Sequence, residues 1–135
     1  HWLGGLVAPL IYLDTHILVW LFVDGDATRL SREAIETLRT AQEVRFSPAT
    51  RLELQFLSEI GRLLVSPAIV LDELGSRMGF VECPTPFAAV AKAASAVGWT
   101  RDPFDRLIVG QAGLNGSKLV TRDRTIRDRF NLAVW

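Results

Sequence analysis

Apolar and polar positions alternate in a changing rhythm along the chain, and the changes mark its elements. Leu10-Ile11-Tyr12-Leu13 is a short run without polar alternation, as expected of a strand covered on both faces of a parallel sheet. Asp14 ends it. Ile17 to Phe22 is helical in length and apolar nearly all round, which calls for a deeply buried helix or a face that another chain covers. After an Asp24-Gly25-Asp26 turn, Ser31 is placed to cap a helix whose Ala34, Ile35 and Leu38 face inward. Val44-Arg45-Phe46 predicts a second strand, and Ser47-Pro48 opens a helix with an apolar stripe of Leu52, Phe56, Leu57 and Ile60 that stops at Gly61. Further helices are predicted from Pro67 to Met78 and from Pro86 to Val97, with a strand at Phe80 to Cys83 between them.

The next stretch, Asp102 to Ala112, starts a helix: Asp can cap the free N–H groups of the first turn and Pro103 is preformed for the first helical position. Phe104, Leu107, Ile108 and Ala112 form its apolar stripe. Lys118 to Thr121 predicts a strand, Thr125 to Arg129 a short helix, and Leu132 to Val134 a last strand. Strands alternating with helices imply an α/β fold, with a mostly parallel sheet of about five strands and right-handed crossovers.

A chain of 135 residues suits one domain. Residues 6–135 are taken as that domain, and residues 1–5 as an upstream remnant. With 49% hydrophobic and 22% charged residues, a packed core is expected rather than disorder. Lys plus Arg and Asp plus Glu each number 15, so no global basic field argues for nucleic acid. From Arg101 onward, however, seven basic residues stand against four acidic ones. The lone Cys83 excludes an internal disulfide and thiolate zinc sites, and fits a reducing, cytoplasmic setting. Asp14, Thr15 and His16 interrupt the apolar run of residues 6–23, which is therefore not read as a membrane span.

In a parallel sheet, ligands bind beyond the carboxyl ends of the strands. Asp14 directly follows the first strand, Asp123 follows the late strand ending near Val120, Asp105 sits in the first turn of its helix, and Glu53 lies early in another helix. Four carboxylates meeting without basic partners would repel one another, and a divalent cation with oxygen ligands is the usual remedy. Taken singly, each has a plainer role: Asp14 and Asp123 as helix caps, Asp105 as a partner of the helix dipole, Glu53 on a solvated face. Asp24, Asp26, Glu59, Asp72 and Asp128 are read as solvated. His16 has no second histidine outside the first residue, so zinc and Ser/His/Asp chemistry are set aside. Arg122, Arg124, Arg127 and Arg129 border Asp123, and form either a phosphate-binding or a solvated face. No GxxxxGKT or GxGxxG loop occurs. Acids at strand ends also suit a phospho-acceptor domain, but such a domain needs a paired acid after the first strand and a Lys at a late strand end, and here the first strand offers one Asp and the late one Thr121-Arg122-Asp123.

Four motifs in order, Tyr12-Leu13-Asp14-Thr15-His16, Ser47-Pro48-Ala49-Thr50-Arg51-Leu52-Glu53 with Gly61-Arg62-Leu63, Asp102-Pro103-Phe104-Asp105-Arg106-Leu107-Ile108, and Leu119-Val120-Thr121-Arg122-Asp123, make the chain resemble the PIN-domain ribonucleases, specifically the VapC-type toxins of toxin–antitoxin pairs. The resemblance implies a three-layer α/β/α sandwich and a metal-dependent endoribonuclease. It places the acidic quartet on Asp14, Glu53, Asp105 and Asp123, holding one or two Mg²⁺ or Mn²⁺ ions. Thr15 and Thr121 would orient ligands, Asp102 would serve as cap or outer acid, and Arg101, Arg106, Arg122 and Arg124 would contact RNA. A homodimer and a VapB-type antitoxin covering the site are also implied, with the apolar helix at Ile17 to Phe22 as a candidate interface. A PIN-like module that binds RNA or protein without cutting is the alternative.

Overall fold

Five strands, β1 (Leu10–Leu13), β2 (Glu43–Phe46), β3 (Val81–Glu82), β4 (Lys118–Val120) and β5 (Ala133–Val134), pair in parallel in the order β3-β2-β1-β4-β5, in a computed structural model that describes residues 10–135. The expectations for residues 1–9 lie outside the described residues. The sheet is wholly parallel, with registers such as Ile11 opposite Val44 on one side and Lys118 on the other. β1 is central and fully covered: Ile11, Tyr12 and Leu13 are all 0% exposed.

Alternation along the strands divides the core. Ile11, Leu13, Phe46 and Val120 point into one layer, with Ile17, Leu18 and Leu21 of α1 (Thr15–Asp24), Ala34 of α2 (Arg32–Thr40), Leu54 of α3 (Pro48–Glu59), and Val70 and Leu74 of α4 (Pro67–Met78). Tyr12 and Leu119 point into the other, with Ile108, Val109 and Ala112 of α6 (Pro103–Leu114) and Ile126 of α7 (Arg124–Arg129). This is the expected α/β/α sandwich. Packed against α6 on that side is α5 (Phe87–Ser95), and a Cβ added at Gly110 would stand 2.8 Å from the Ala94 nitrogen, so only glycine permits this approach of the two helices.

Two expectations about faces need correction. Ile35, expected inward, is 38% exposed, while Ala34 beside it is fully buried. On α3 the apolar stripe faces out: Leu52 is 62%, Phe56 47% and Ile60 49% exposed, with Leu57 half-buried. The inner face is made instead by Thr50 and Leu54, both fully buried. The apolar helix near the N-terminus is mostly core, with Thr15, Ile17, Leu18 and Leu21 buried and Val23 exposed.

Right-handed crossovers explain the order of the strands. From β1 the chain steps to β2 and β3 over one face, then returns over the other through α5 and α6 to place β4 on the opposite side of β1. The direction of winding reverses between β1 and β4, and a crevice opens there beyond their carboxyl ends.

Candidate functional site

That crevice is where the predicted acids are found. Asp14 ends β1 and caps α1, its Oδ1 accepting from the Thr15 N–H at 2.8 Å, so its plainer role as a cap is real. Its other oxygen, Oδ2, accepts from the Thr121 hydroxyl at 2.7 Å. Thr121, just past β4 and fully buried, accepts in turn from the Asp123 N–H at 3.1 Å. One hydroxyl thus ties the ends of neighbouring strands and sets the spacing of Asp14 and Asp123. Asp123 caps α7 through the Ile126 N–H at 2.9 Å, with its second oxygen free of that bond.

Glu53 lies in the second turn of α3, on the side of buried Thr50 and Leu54. It is half-buried rather than solvated, and its Oε1 is buried without a hydrogen-bond partner. Burial raises its pKa, the nearby Thr15 hydroxyl opposes the rise, and Asp14 adds to it. The Thr15 hydroxyl is itself held 3.0 Å from that of Thr50. Thr50 carries no role in the sequence reading. Its position three residues before Glu53, on one helical face, was the available signal.

At the start of α6, Asp102 Oδ1 accepts from the N–H groups of Phe104 at 2.8 Å and Asp105 at 3.2 Å. Asp102 is exposed and acts as the cap, whereas Asp105 turns into the crevice and is half-buried. Burial, followed by the fields of Asp102, Asp14, Asp123 and Glu53, pushes the Asp105 carboxyl from its ordinary 3.8 up to about 7. Burial likewise raises Asp14, against the Thr121 hydrogen bond. The four acids therefore share one electrostatic neighbourhood. None of them belongs to an ion pair among the described residues.

Orphaned carboxylate oxygen and uncompensated negative charge fit a hard divalent cation, whose ligands are oxygen atoms. Among the described residues, no three Asp, Glu, His or Cys side chains stand close enough together, as placed, to hold a metal ion between them. The acids ring a crevice instead, an arrangement suited to Mg²⁺, which keeps several waters and takes one or two carboxylates.

The arginines divide. Arg106 gives its Nε to the Ala94 carbonyl at 3.2 Å and Nη2 to that of Ser95 at 3.0 Å, so it caps the end of α5, a structural role beside the RNA contact that the resemblance implies. Arg101 binds the Gly98 carbonyl at 2.9 Å and is otherwise exposed. Arg122 and Arg124 are exposed, and Arg122 borders the crevice with Asp14, His16, Trp20 and Asp123. The sequence alone does not single out Trp20, and His16 lacks the second histidine that zinc chemistry would need.

Comparison with known proteins agrees with this geometry. The PIN domain profile matches residues 11–129. Ribonuclease VapC22 of Mycobacterium tuberculosis is 30% identical over 130 residues, 93% of this chain and 98% of that protein. Two solved structures share the fold: VapBC2 from Rickettsia felis bound to a promoter DNA fragment, with TM-score 0.63 and 17% identity over 93% of this chain and 97% of that one, and a toxin–antitoxin complex from Klebsiella pneumoniae, with TM-score 0.62 and 19% identity over 93% and 96%. The chain belongs to the PIN-domain family and is of the VapC type.

Proposed function

We propose that this protein is a metal-dependent endoribonuclease that hydrolyses phosphodiester bonds of a cellular RNA and is held in check by a VapB-type antitoxin. The observation that carries the reading is that Asp14, Glu53, Asp105 and Asp123 lie within reach of one another's charge at the winding reversal with no ion pair among the described residues, and that the Glu53 Oε1 is buried and unsatisfied. The 30% identity to a ribonuclease over nearly the whole chain supports the reaction class. Both structural neighbours come from toxin–antitoxin systems, which supports the partner.

In this reading the four acids hold one or two Mg²⁺ or Mn²⁺ ions. A bound ion supplies an activated water for in-line attack and neutralises charge on the leaving oxygen. The chain's own residues do the rest. Thr121 fixes the Asp14 carboxylate and the Asp123 backbone together. Thr15, steadied by Thr50, stands beside Glu53. Asp105, with its proton held up to about pH 7, releases it when a cation enters. Arg101, Arg122 and Arg124 offer exposed guanidinium groups to the phosphate backbone.

Antitoxin-free protein is expected to cleave RNA with Mg²⁺ or Mn²⁺, to lose cleavage on chelation, and to lose it in Asp14→Asn. Identical cleavage patterns from wild type and Asp14→Asn would sink the reading. Intact RNA together with no divalent-ion binding in calorimetry would favour a module that holds RNA or protein without cutting it.

A further inference from the structure

Beside the acids the crevice has an aromatic wall. A cavity of about 260 Å³ is lined by Asp14, His16, Trp20, Arg122 and Asp123. Trp20, on α1, is only half-buried. Its ring stands edge-on to that of Trp135, with centroids 6.2 Å apart. The Arg122 guanidinium carbon lies 5.9 Å from the Trp20 centroid and 6.0 Å from that of Trp135, so the cation packs beside both indoles where the two rings meet. Arg29 approaches the Trp20 ring at 5.6 Å. Arg122 makes no hydrogen bond or ion pair among the described residues, which leaves its donors for a ligand.

We propose that Trp20 and Arg122 form a nucleotide subsite, in which one base of the RNA next to the cleaved bond stacks on the Trp20 indole and its phosphate pairs with Arg122. This rests on the ribonuclease reading and adds a substrate-positioning residue to it. The chemistry of the wall is that of single-strand binding surfaces: an aromatic face that accepts any base, and a guanidinium beside it for the backbone. The cavity equals the liquid volume of roughly nine waters, space for one base and its sugar rather than for a duplex. Its floor is Asp14 and Asp123, so a nucleotide lying there brings its phosphodiester to the carboxylates. In the ribonuclease reading the cations held by the carboxylates would attract the phosphate, Arg122 adds positive charge beside them, and the indole contributes stacking to the base.

Two measurements on the full chain test the subsite. The first is a tryptophan-fluorescence titration with adenosine 5′-monophosphate and, in parallel, ribose 5-phosphate, both in Mg²⁺. The nucleotide is expected to quench the wild type, the sugar phosphate to leave it unchanged, and Trp20→Leu to lose the quench. The second is kcat/KM on a single-stranded RNA decamer: Trp20→Leu is expected to lose roughly ten-fold, as removal of one base stack does, whereas Trp20→Phe, which keeps an aromatic face, stays within about three-fold. Thermal melting checks that each variant folds. Equal quenching by nucleotide and sugar phosphate, or equal losses in Trp20→Leu and Trp20→Phe, would leave Trp20 a packing residue and overturn the subsite. Cleaved RNA with an indifferent Trp20→Leu removes the subsite and spares the ribonuclease; uncleaved RNA with Trp20-dependent quenching by the nucleotide does the reverse.

Discussion

Asp102 and Asp105 stand three residues apart at one helix start, and the backbone gives them opposite surroundings. Asp102 is exposed, with Oδ1 satisfied by the N–H groups of Phe104 and Asp105, the ordinary state of an N-cap. Asp105, one turn further in, has no such partner and faces burial and four like charges. A cap acts on the helix and an unpaired buried acid acts on whatever enters the crevice, so the two should separate in experiment. Asp102→Ala is expected to cost roughly 0.5–2 kcal/mol in urea unfolding as a lost cap, with cleavage largely kept. Asp105→Asn is expected to abolish cleavage and keep the fold, since it removes a charge the folded state holds at a disadvantage. The opposite pattern, stability lost in Asp105→Asn and activity lost in Asp102→Ala, would show the roles exchanged. Sequence marked both residues because Asp-Pro names a helix start without ambiguity. It left Glu53 open between solvated face and site, because a helical position alone does not say which way the helix is turned.

The same ambiguity decided what was legible at the scale of elements. β1 was visible because a strand covered on both faces has no polar position, and four helix starts were visible because Ser31, Ser47, Asp102 and Asp123 each cap through their own side chains. The inner face of α3 was not visible. Its largest apolar residues, Leu52, Phe56 and Ile60, recur at helical spacing and suggest the core, yet they lie outside, and Thr50 and Leu54 pack inward. Leu64, 93% exposed, and Ile69, 54% exposed, extend the apolar surface towards α4. Exposed apolar residues grouped on a surface mark interfaces, and we propose this outer ridge of α3 as the face for the homodimer that the family resemblance implies, since the helix at Ile17 to Phe22 is largely core. Leu52→Asp should then leave the monomer's stability within about 0.5 kcal/mol, as surface substitutions do, while light scattering shows the mass falling from dimer to monomer. A wild type that is already monomeric at high concentration rules the ridge out as a self-association face.

At the scale of the whole molecule, the winding reversal that makes the crevice also makes it a burden on the fold. The acids reach it from β1, α3, α6 and the end of β4, so they cannot move apart without undoing the sheet's topology. Asp105 holds its proton up to about pH 7 in the folded chain, against an ordinary value of 3.8, and Asp14 and Glu53 are raised in the same direction. Between these values the folded state binds more protons than the unfolded one, so this contribution is fully present below about pH 4 and is lost as the pH rises through about 7. Metal-free protein should therefore melt at a lower temperature at pH 8 than other groups alone would dictate, and Asp105→Asn should flatten the decline between pH 4 and pH 8. If the acids hold a divalent ion as proposed, it is expected to reverse the balance, because its binding free energy would be available only to the folded chain: Mg²⁺ or Mn²⁺ at a hundred times its dissociation constant would add about 2.7 kcal/mol. Its effect should grow from pH 5 to pH 8 as the carboxylates give up their protons. Scanning calorimetry across that range, with and without the ion, reads both effects. Parallel melting curves for wild type and Asp105→Asn would show that the acids do not share one field, and equal stabilisation by the ion in the two proteins would place it away from Asp105.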